Sequence, residues 1–592
     1  MRSFVSADLK PFYHGVASGD PLSDRVILWT RITPEDSSAQ TVNWKVGTDT
    51  TFATIVTQGS VNTDASKDFS INVDATGLQP NSWYYYQFEQ NGKKSLIGRT
   101  RTLPAGDVDS LRFGVVSCAN YEDGFYNAYR DLADRNDLDA IIHLGDYIYE
   151  YKTGGFSSSV GGRTSLPENE IVTLSDYRTR YSHYHLDKDL MWLHQNYPFI
   201  ITWDDHEVAN NSWYDGAENH TDSTEGNYQA RKAAAEQAHA EWIPIRMPEP
   251  GNNAKIFRRF RWGDLLTLHM VDTRHYARTV QEAASAPDFN DTTRYLLGPQ
   301  QYDWFVNGMD TATTTWNVVG NQVMMAPLKI FGQLANTDQW DGYPAERNKL
   351  YNDILSRNIQ NFVVLTGDIH TAWSMDLPHQ DGSYNASTGQ GSVGVEFVCT
   401  SITSQSSPLP VSGSVLTTLL PHIKYAELSR KGYYVLDVNK TRTQCDHNII
   451  SAVTDTVYTK NEADSRYTLA GERWLRVANS ASVGDINPTQ PPRPIYSSVG
   501  ISNKDKNVFF GVFPNPFFDK FMLQFYTEQT GKISLSLANI EGKSILNETR
   551  VVTSPGIQYW DVNGASLPAG NYLLNFELGG KKYSRKVVKV GM

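Results

Sequence analysis

The chain has 592 residues, of which 40% are hydrophobic, and it carries a formal net charge of −12 with a pI near 5.6. This length suggests roughly three or four domains. An acidic surface argues against electrostatic binding of nucleic acid or anionic membranes, and no run of about 18 uncharged apolar residues predicts a membrane span.

Residues 1–105 predict a small β-sandwich. Aromatic or β-branched runs at 26–29, 42–46 and 83–88 are separated by turn residues such as Asn91-Gly92. No residue of this part indicates catalysis.

Residues 106–497 change character, because apolar strand runs alternate with helical stretches near 124–132, 228–242 and 346–356. This alternation predicts an α/β domain with a buried parallel sheet. A Gly- and Ser-rich segment over 154–162 is either a lid over a site or a plain surface loop.

The C-terminal part predicts a second all-β module at 507–592, after a linker at 498–506. Alternation over 532–537 and the turn dipeptide Glu541-Gly542 support this prediction. The Pro-rich stretch that starts at 482 is expected to be extended and to make few contacts before Ile495.

Three cysteines are too few for a disulfide framework, and their odd number leaves at least one thiol free. We expect Cys118 to be that thiol. Cys399 and Cys445 follow strand-like runs, so the sequence allows either a disulfide between them or two unpaired buried thiols.

Five apolar runs in the α/β part each end in residues that can bind a metal. In α/β sheets, ligands bind outside the carboxyl ends of the strands, so five such ends predict one polynuclear site. The residues are Cys118; Asp146 with Tyr149; Asp204-Asp205-His206-Glu207; Asn321 with Gln322; and Asp368 with His370.

The donor types indicate which metals the site takes. A Tyr149 phenolate suits Fe³⁺, and a Cys118 thiolate disfavours Mg²⁺ and Ca²⁺, so the pair favours a transition metal, most simply iron. As alternatives, Cys118 is a small buried hydrophobic residue and Tyr149 is a packing residue.

Asp204, Asp205 and Asp368 offer only oxygen and have no basic residue near them in the sequence. They would repel one another unless a hard cation such as Ca²⁺ neutralised them. His370 lies two residues after Asp368, so both side chains can face one site.

His206 is either a metal ligand or the group that holds the leaving oxygen, with Glu207 fixing its tautomer. Asn210 and Asn321 are further oxygen donors, and Asn321 could equally cap a turn. Two metals that share the Asp146 carboxylate suit ester hydrolysis at phosphorus.

From about residue 11 to 497 the chain resembles the PhoD-type alkaline phosphatases/phosphodiesterases, relatives of the purple acid phosphatases in the metallophosphoesterase superfamily. The matching motifs are His14-Gly15-Val16-Ala17-Ser18-Gly19-Asp20-Pro21 with Trp29-Thr30-Arg31, Ser117-Cys118, Gly145-Asp146-Tyr147-Ile148-Tyr149, Trp203-Asp204-Asp205-His206-Glu207-Val208-Ala209-Asn210, and Leu365-Thr366-Gly367-Asp368-Ile369-His370.

The resemblance implies a four-layer αββα core behind an Ig/fibronectin-like N-terminal domain, and Fe³⁺ with Ca²⁺ beside it. His206 matches the His of the superfamily's Asn-His-Glu motif. Asp205 and Asp368 stand where that superfamily has neutral donors, which fits Ca²⁺ better than Zn²⁺. By this analogy iron takes Cys118, Asp146, Tyr149 and His370, and calcium takes Asp146, Asp205 and Asp368, with Asn210 as a further ligand.

The C-terminal module resembles the sorting domain of Bacteroidetes type IX secretion cargo. The matching segments are Phe513-Pro514-Asn515-Pro516-Phe517, Leu567-Pro568-Ala569-Gly570-Asn571-Tyr572 and Lys586-Val587-Val588-Lys589. A carbohydrate-binding or adhesive β-domain is the alternative. Sorting implies export through the periplasm to the cell surface or medium, with the signal peptide removed.

These features predict a secreted, metal-dependent phosphatase/phosphodiesterase in which a metal-bound hydroxide or oxide attacks phosphorus and His206 serves the leaving oxygen. The expected partners are small phosphate mono- or diesters and the type IX machinery. The alternatives are a phospholipase-D-like diesterase, a catalytically silent phosphoester-binding protein, and an adhesive multi-β surface protein. Loss of metal ligands would mark the silent protein.

Overall fold

The computed structural model describes residues 9–157, 160, 163–379, 383–493 and 509–590, the last range with gaps at 514, 516, 518, 528–529, 540–542, 554–555 and 579–580. The chain forms two compact units, one ending at Pro494 and the other beginning at Ile495. The linker predicted at 498–506 and the turn predicted at Glu541-Gly542 lie outside the described residues. No described helix is long and apolar enough to cross a membrane.

The first hundred residues form short strands, as the sequence predicts. Asn91 and Gly92 turn the chain between the sixth and seventh strands with φ of 50° and 74°, a conformation that these residue types tolerate. The strands are β1 Val16–Gly19, β2 Arg25–Arg31, β3 Gln40–Gly47, β4 Ile55–Thr63, β5 Ser70–Thr76, β6 Trp83–Gln90, β7 Lys93–Lys94 and β8 Gly98–Arg101.

Strands and helices then alternate up to residue 477. The strands are β9 Ser110–Val116, β10 Ala140–His143, β11 Pro198–Ile201, β12 Arg258–Trp262, β13 Leu266–Met270, β14 Trp316–Gly320, β15 Lys329–Ile330, β16 Gln333–Leu334, β17 Phe362–Thr366, β18 Ala372–Pro378, β19 Ser392–Val398, β20 Ile423–Glu427, β21 Lys431–Asn439, β22 Arg442–Ile450, β23 Lys460–Leu469 and β24 Arg476–Val477.

The helices of this part confirm the three predicted helical stretches, which correspond to α1, α5 and α7. Side chains cap several of them; Asn227, for example, accepts the backbone N–H of Ala230 at the start of α5. The helices are α1 Asn127–Asp134, α2 Leu174–His185, α3 Lys188–Asn196, α4 Asp222–Glu225, α5 Tyr228–Trp242, α6 Gly298–Asp310, α7 Pro344–Ser356 and α8 Gly413–Leu419.

All five predicted metal-bearing runs are strands, but they belong to two sheets and not to one. A ten-stranded sheet has the order β24-β23-β22-β21-β9-β10-β11-β1-β2-β5, in which β9, β10 and β11 are parallel. A seven-stranded sheet has the order β12-β13-β14-β17-β19-β18-β20, in which β13, β14, β17 and β19 are parallel. Strands β3, β4, β6, β7 and β8 form a separate sheet, whereas β1, β2 and β5 extend the ten-stranded one.

Three apolar clusters hold the α/β part together. One contains side chains of both large sheets, such as Val115 and Ile142 with Val318 and Val363, so the two sheets pack face to face. A second joins the ten-stranded sheet to α1, α2, α3 and α5, and a third joins the seven-stranded sheet to α6 and α7. The fold is therefore a mixed α/β fold in which the carboxyl ends of two sets of parallel strands can meet.

The Pro-rich stretch from 482 makes many contacts, which contradicts the prediction that it makes few contacts. Arg112 donates to the Ser482 carbonyl at 2.9 Å, and the fully buried Arg99 donates to the Pro488 carbonyl. Asn487 and Gln490 donate to backbone carbonyls between residues 133 and 138. A proline carbonyl can still accept a hydrogen bond, so this extended stretch is held by hydrogen bonds that it accepts from, and donates to, the surrounding residues.

The second unit contains a three-stranded sheet, β25-β26-β29, and a four-stranded sheet, β28-β27-β30-β31. Alternating side chains such as Leu523, Leu535, Trp560 and Leu574 form its core. Its strands are β25 Phe509–Phe513, β26 Lys520–Thr527, β27 Gly531–Asn539, β28 Ser544–Val552, β29 Gly556–Asn563, β30 Gly570–Leu578 and β31 Lys581–Lys589.

All three cysteines lie within the described residues, and each is a free, buried thiol. The thiol of Cys399 donates to the Val115 carbonyl at 3.2 Å. Of the two alternatives that the sequence allowed for Cys399 and Cys445, the structure therefore shows unpaired thiols.

A chain that ends at Ser498 is expected to keep the unfolding transition of the first unit, because that unit ends at Pro494. A chain that ends at Ala481 is the matched comparison. It loses the hydrogen bonds to Ser482, Pro488 and Gln490, each worth about 1 kcal/mol net, and its melting temperature should fall by several degrees. Differential scanning calorimetry measures both, and equal melting temperatures for the two chains would contradict the structural role of this stretch.

Candidate metal centre

Sharp turns at the strand ends present the side chains of the site. Cys118, Asp146, Asp368 and His370 have φ of 60°, 55°, 64° and 61°, a left-handed conformation that is uncommon for residues other than glycine. Such residues persist only where the surrounding structure fixes them, and they concentrate at functional sites. Gly145 is required before Asp146, because a Cβ there would lie 2.5 Å from the Cβ of Asp204.

One group of donors consists of Cys118, Asp146, Tyr149 and His370. Ligand atoms of the cysteine, the aspartate and His370 lie within 4.8 Å of one another. The Tyr149 hydroxyl donates to Asp146 Oδ2 at 2.9 Å and lies 3.1 Å from His370 Nε2. The Nδ1 of His370 donates to the Gln405 carbonyl at 2.5 Å, which leaves Nε2 free to act as a ligand.

Cys118 and Tyr149 are protonated in the absence of a cation. Burial, and then the neighbouring Asp146 carboxylate, raise the pKa of the Cys118 thiol and of the Tyr149 phenol well above their ordinary values. Asp146 Oδ1 is buried and has no hydrogen-bond partner. A metal bound here would displace the two protons and satisfy that oxygen, so the donor set fits a cation of high charge.

A second group of donors contains only carboxylate oxygens. Ligand oxygens of Asp204, Asp205 and Asp368 lie within 4.8 Å of one another. An oxygen of Asp205 is within the same distance of an oxygen of Asp146 and a ring nitrogen of His206. Asp146 therefore stands between the two groups of donors, where its two oxygens can serve both. All these groups sit at the ends of β10, β11 and β17, so the two sheets contribute to one site.

A buried arginine neutralises part of this cluster, although no basic residue lies near these aspartates in the sequence. The fully buried Arg274 donates to Asp204 at 2.5 Å, to Asp368 at 2.5 Å and to Asp338 at 2.7 Å. It follows β13, about 70 residues away in the sequence from Asp204. The apolar run 265–271 is followed by Asp272-Thr273-Arg274. It is a strand end of the same kind as the five predicted ones, and it was the signal in the sequence that could have identified Arg274.

His206 is held by Glu150 and not, as the sequence predicted, by Glu207. The Nδ1 of His206 lies 2.7 Å from Glu150 Oε2. Glu207 is turned beneath the strand ends, where it accepts the backbone N–H groups of Asp146, Tyr147 and Asp204. Glu207 thereby ties the turn after β10 to the turn after β11.

The surroundings of His206 favour its protonated form. Burial alone would lower its pKa, but the carboxylates of Asp205, Glu150 and Asp146 outweigh burial and raise the pKa well above the ordinary value. Its ring centroid lies 4.2 Å from that of Tyr149 and 5.3 Å from that of Tyr151. Because Glu150 occupies Nδ1, only Nε2 is available to donate to a ligand.

The segment predicted as a lid or a surface loop reaches the site through Phe156. Its ring centroid lies 5.3 Å from that of Tyr151 and 6.4 Å from that of Tyr149. The Phe156 carbonyl accepts from Asn120, and the Gly154 N–H donates to Glu122, so this part of the segment is anchored.

The two asparagines differ in their surroundings. Asn210 lies on the turn after β11, and its backbone N–H donates to Glu150 at 2.8 Å. The Asn321 side chain donates to the Val323 carbonyl and to Thr366, and it accepts from Trp340. The bond to Val323 closes its own turn, as the alternative role predicts, and Thr366 and Trp340 occupy the rest of the Asn321 amide.

Three parts of the chain match protein-family models. Residues 113–447 match the PhoD-like phosphatase, residues 3–104 match the N-terminal domain of PhoD-like phosphatases, and residues 511–590 match a secretion system C-terminal sorting domain. The first model alone covers more than half of the chain.

Individual proteins agree with these models. Alkaline phosphatase D of Bacillus subtilis (strain 168) is 37% identical over 466 residues, which cover 75% of this chain and 78% of that protein. A solved structure described as the structure of PhoD is 34% identical with a TM-score of 0.73, and the match covers 82% of this chain and 94% of that one. The chain therefore belongs to the PhoD-like phosphatase family of phosphoric ester hydrolases, and its C-terminal module marks it as cargo of a type IX secretion system.

Proposed function

We propose that the protein hydrolyses small phosphate mono- and diesters at a centre that holds Fe³⁺ and Ca²⁺. The observation that carries this proposal is the meeting of a thiol, a phenol, an imidazole and several carboxylates around the unpartnered Asp146 oxygen. The proposed iron ligands are Cys118, Asp146, Tyr149 and His370. The proposed calcium ligands are Asp146, Asp205 and Asp368, with Asn210 as a further ligand.

The residues divide the chemical work. When bound, the metals act as Lewis acids that polarise a phosphoryl group, and they lower the pKa of water so that hydroxide forms near neutral pH. Asp146 belongs to both groups of donors, so it would help to hold both metals. His206 donates a proton or a hydrogen bond from Nε2 to the leaving oxygen, and Glu150 keeps its ring in that orientation.

The finer architecture belongs to the same proposal. The three apolar clusters support a four-layer αββα arrangement of the catalytic part. The five-stranded sheet and the match over residues 3–104 support an Ig/fibronectin-like N-terminal domain that ends near residue 105, followed by a catalytic domain over 106–497. The partner proposed for the sorting domain at 507–592 is the type IX machinery.

The first experiment tests the iron assignment. Purified protein is expected to contain about one iron per chain and to absorb in the visible through tyrosinate and thiolate charge transfer. Tyr149→Phe should lose the tyrosinate band, because it removes the proposed ligand oxygen. Tyr147→Phe is the matched control: the Tyr147 hydroxyl faces His185 and His194, so its loss should leave the spectrum unchanged. An active, colourless and iron-free protein would refute the assignment.

The calcium assignment predicts a labile hard cation beside the iron. Treatment with a calcium-selective chelator should abolish hydrolysis of p-nitrophenyl phosphate and of its bis ester, and added Ca²⁺ should restore it better than Zn²⁺. The comparison of the two esters also measures the preference between mono- and diesters. Complete restoration by Zn²⁺ alone would contradict the calcium site.

Glu150→Gln should lower kcat about 10- to 100-fold with little change in KM, because it weakens the orientation and the charge of His206, whereas the glutamine oxygen can still accept the Asn210 backbone N–H. Glu170→Gln is the matched control, since Glu170 pairs with Arg231 and shares Asn219 with Glu150. Steady-state kinetics on p-nitrophenyl phosphate measures both variants. Equal losses of kcat in the two would argue against a specific role for the Glu150–His206 pair.

A further inference from the structure

We propose that Arg274 is a positioning residue for the calcium half of the centre: its guanidinium holds one oxygen of Asp204 and one of Asp368, so that the other oxygens face a divalent cation. This inference rests on the proposed calcium site. It assigns a role to a buried cation that the proposed ligand set does not include.

The contacts of Arg274 have the geometry of a three-way fork. Nε donates to Asp204 Oδ1 at 2.5 Å, Nη2 to Asp368 Oδ1 at 2.5 Å and Nη1 to Asp338 Oδ2 at 2.7 Å. The three carboxylates come from the turn after β11, the turn after β17 and the segment before α7. A planar guanidinium fixes all three directions at once, which a lysine ammonium cannot do.

The carboxylates around Arg274 lie close enough together to share a ligand. Asp204 Oδ2 is buried without a hydrogen-bond partner, and ligand oxygens of Asp204, Asp205 and Asp368 lie within 4.8 Å of one another. Asp205 Oδ1 lies 3.7 Å from Arg274 Nη2, beyond a hydrogen bond, so this oxygen is also available. A hard cation that takes several oxygens would satisfy these atoms.

The position of Arg274 is fixed by residues that are not proposed ligands. Its backbone N–H donates to Asp272 Oδ1 at 2.8 Å, and Asp272 Oδ2 accepts from the Trp203 indole at 2.9 Å. The backbone N–H of Asp272 donates in turn to Gln301 of α6 at 2.7 Å. The turn after β13 is therefore held independently of any metal.

Arg274 acts through the carboxylates and not on the substrate, because the side chain is fully buried and its donors are engaged. Its two effects on calcium affinity have opposite signs. The positive charge repels a cation, whereas the fork orients the ligands. The positioning role requires the second effect to be the larger.

Isothermal titration calorimetry with CaCl₂ on the full-length protein, after removal of calcium with a selective chelator, tests this role. Arg274→Lys keeps the charge but loses the fork, and it should raise the Kd for Ca²⁺ about 10- to 100-fold. Arg274→Met should also bind more weakly than the unsubstituted protein, although it removes the repulsive charge.

Arg278→Lys is the matched control. Arg278 is equally buried four residues later and pairs with Asp338, but it contacts no proposed calcium ligand. Its substitution should change the Kd less than threefold. The visible absorption of the iron, measured on the same samples, should be unchanged in all three variants. The side chains of Arg274 and Arg278 donate hydrogen bonds to none of the proposed iron ligands.

Each outcome decides the question. An Arg274→Lys variant with the unsubstituted Kd, or an Arg274→Met variant that binds more tightly, overturns the positioning role. A variant that loses both the iron absorption and calcium binding shows that Arg274 has a general structural role, which also overturns the positioning role. If the unsubstituted protein binds no Ca²⁺, the proposed calcium site itself is wrong, a failure that is visible before any variant is compared.

Discussion

The burial of many acidic side chains in one crevice is the constraint on which the rest of the site depends. Asp146, Asp204 and Asp205 are buried and Asp368 is partly buried, so lost hydration and the neighbouring carboxylates raise the pKa of Asp204 and of Asp368. Burial raises the pKa of Asp368 to about 7 despite the nearby Arg274. Such a cluster is stable as a set of charges only with cations beside it, and Arg274 is one that the chain itself supplies.

The strand ends meet this constraint through backbone geometry. Left-handed turns at Cys118, Asp146 and Asp368 direct their side chains into the crevice, at a cost of roughly 1–3 kcal/mol each. Glu207 offsets part of this cost at Asp146, since it accepts the N–H groups of Asp146 and Tyr147 in that turn and of Asp204 in the turn after β11. These hydrogen bonds beneath the site thus hold the strained turn that carries Asp146.

In the first unit, the residues that hold the fold together are different from the residues that form the site. Apolar clusters on both faces of two sheets make the framework rigid, and the site lies where the parallel strands of both sheets end. The stretch from 482 to Gln490 is tied to the rest of this unit because it accepts hydrogen bonds from β8 and β9 and donates one to the region after α1. The sorting module has a core of its own, made from alternating side chains.

The sequence alone determined the elements and the types of donor. Apolar runs gave the five strands within a few residues, the Ala-rich pattern gave α5, and the residues after each run gave the thiol, phenol, imidazole and carboxylate groups, because these features depend on neighbours in the chain. Only the tertiary structure decided which strand belongs to which sheet, that Glu150 and not Glu207 holds His206, and that Arg274 enters the acidic cluster. These pairings join residues about 56 to 94 positions apart, and no local pattern encodes them, since they follow from how the two sheets pack.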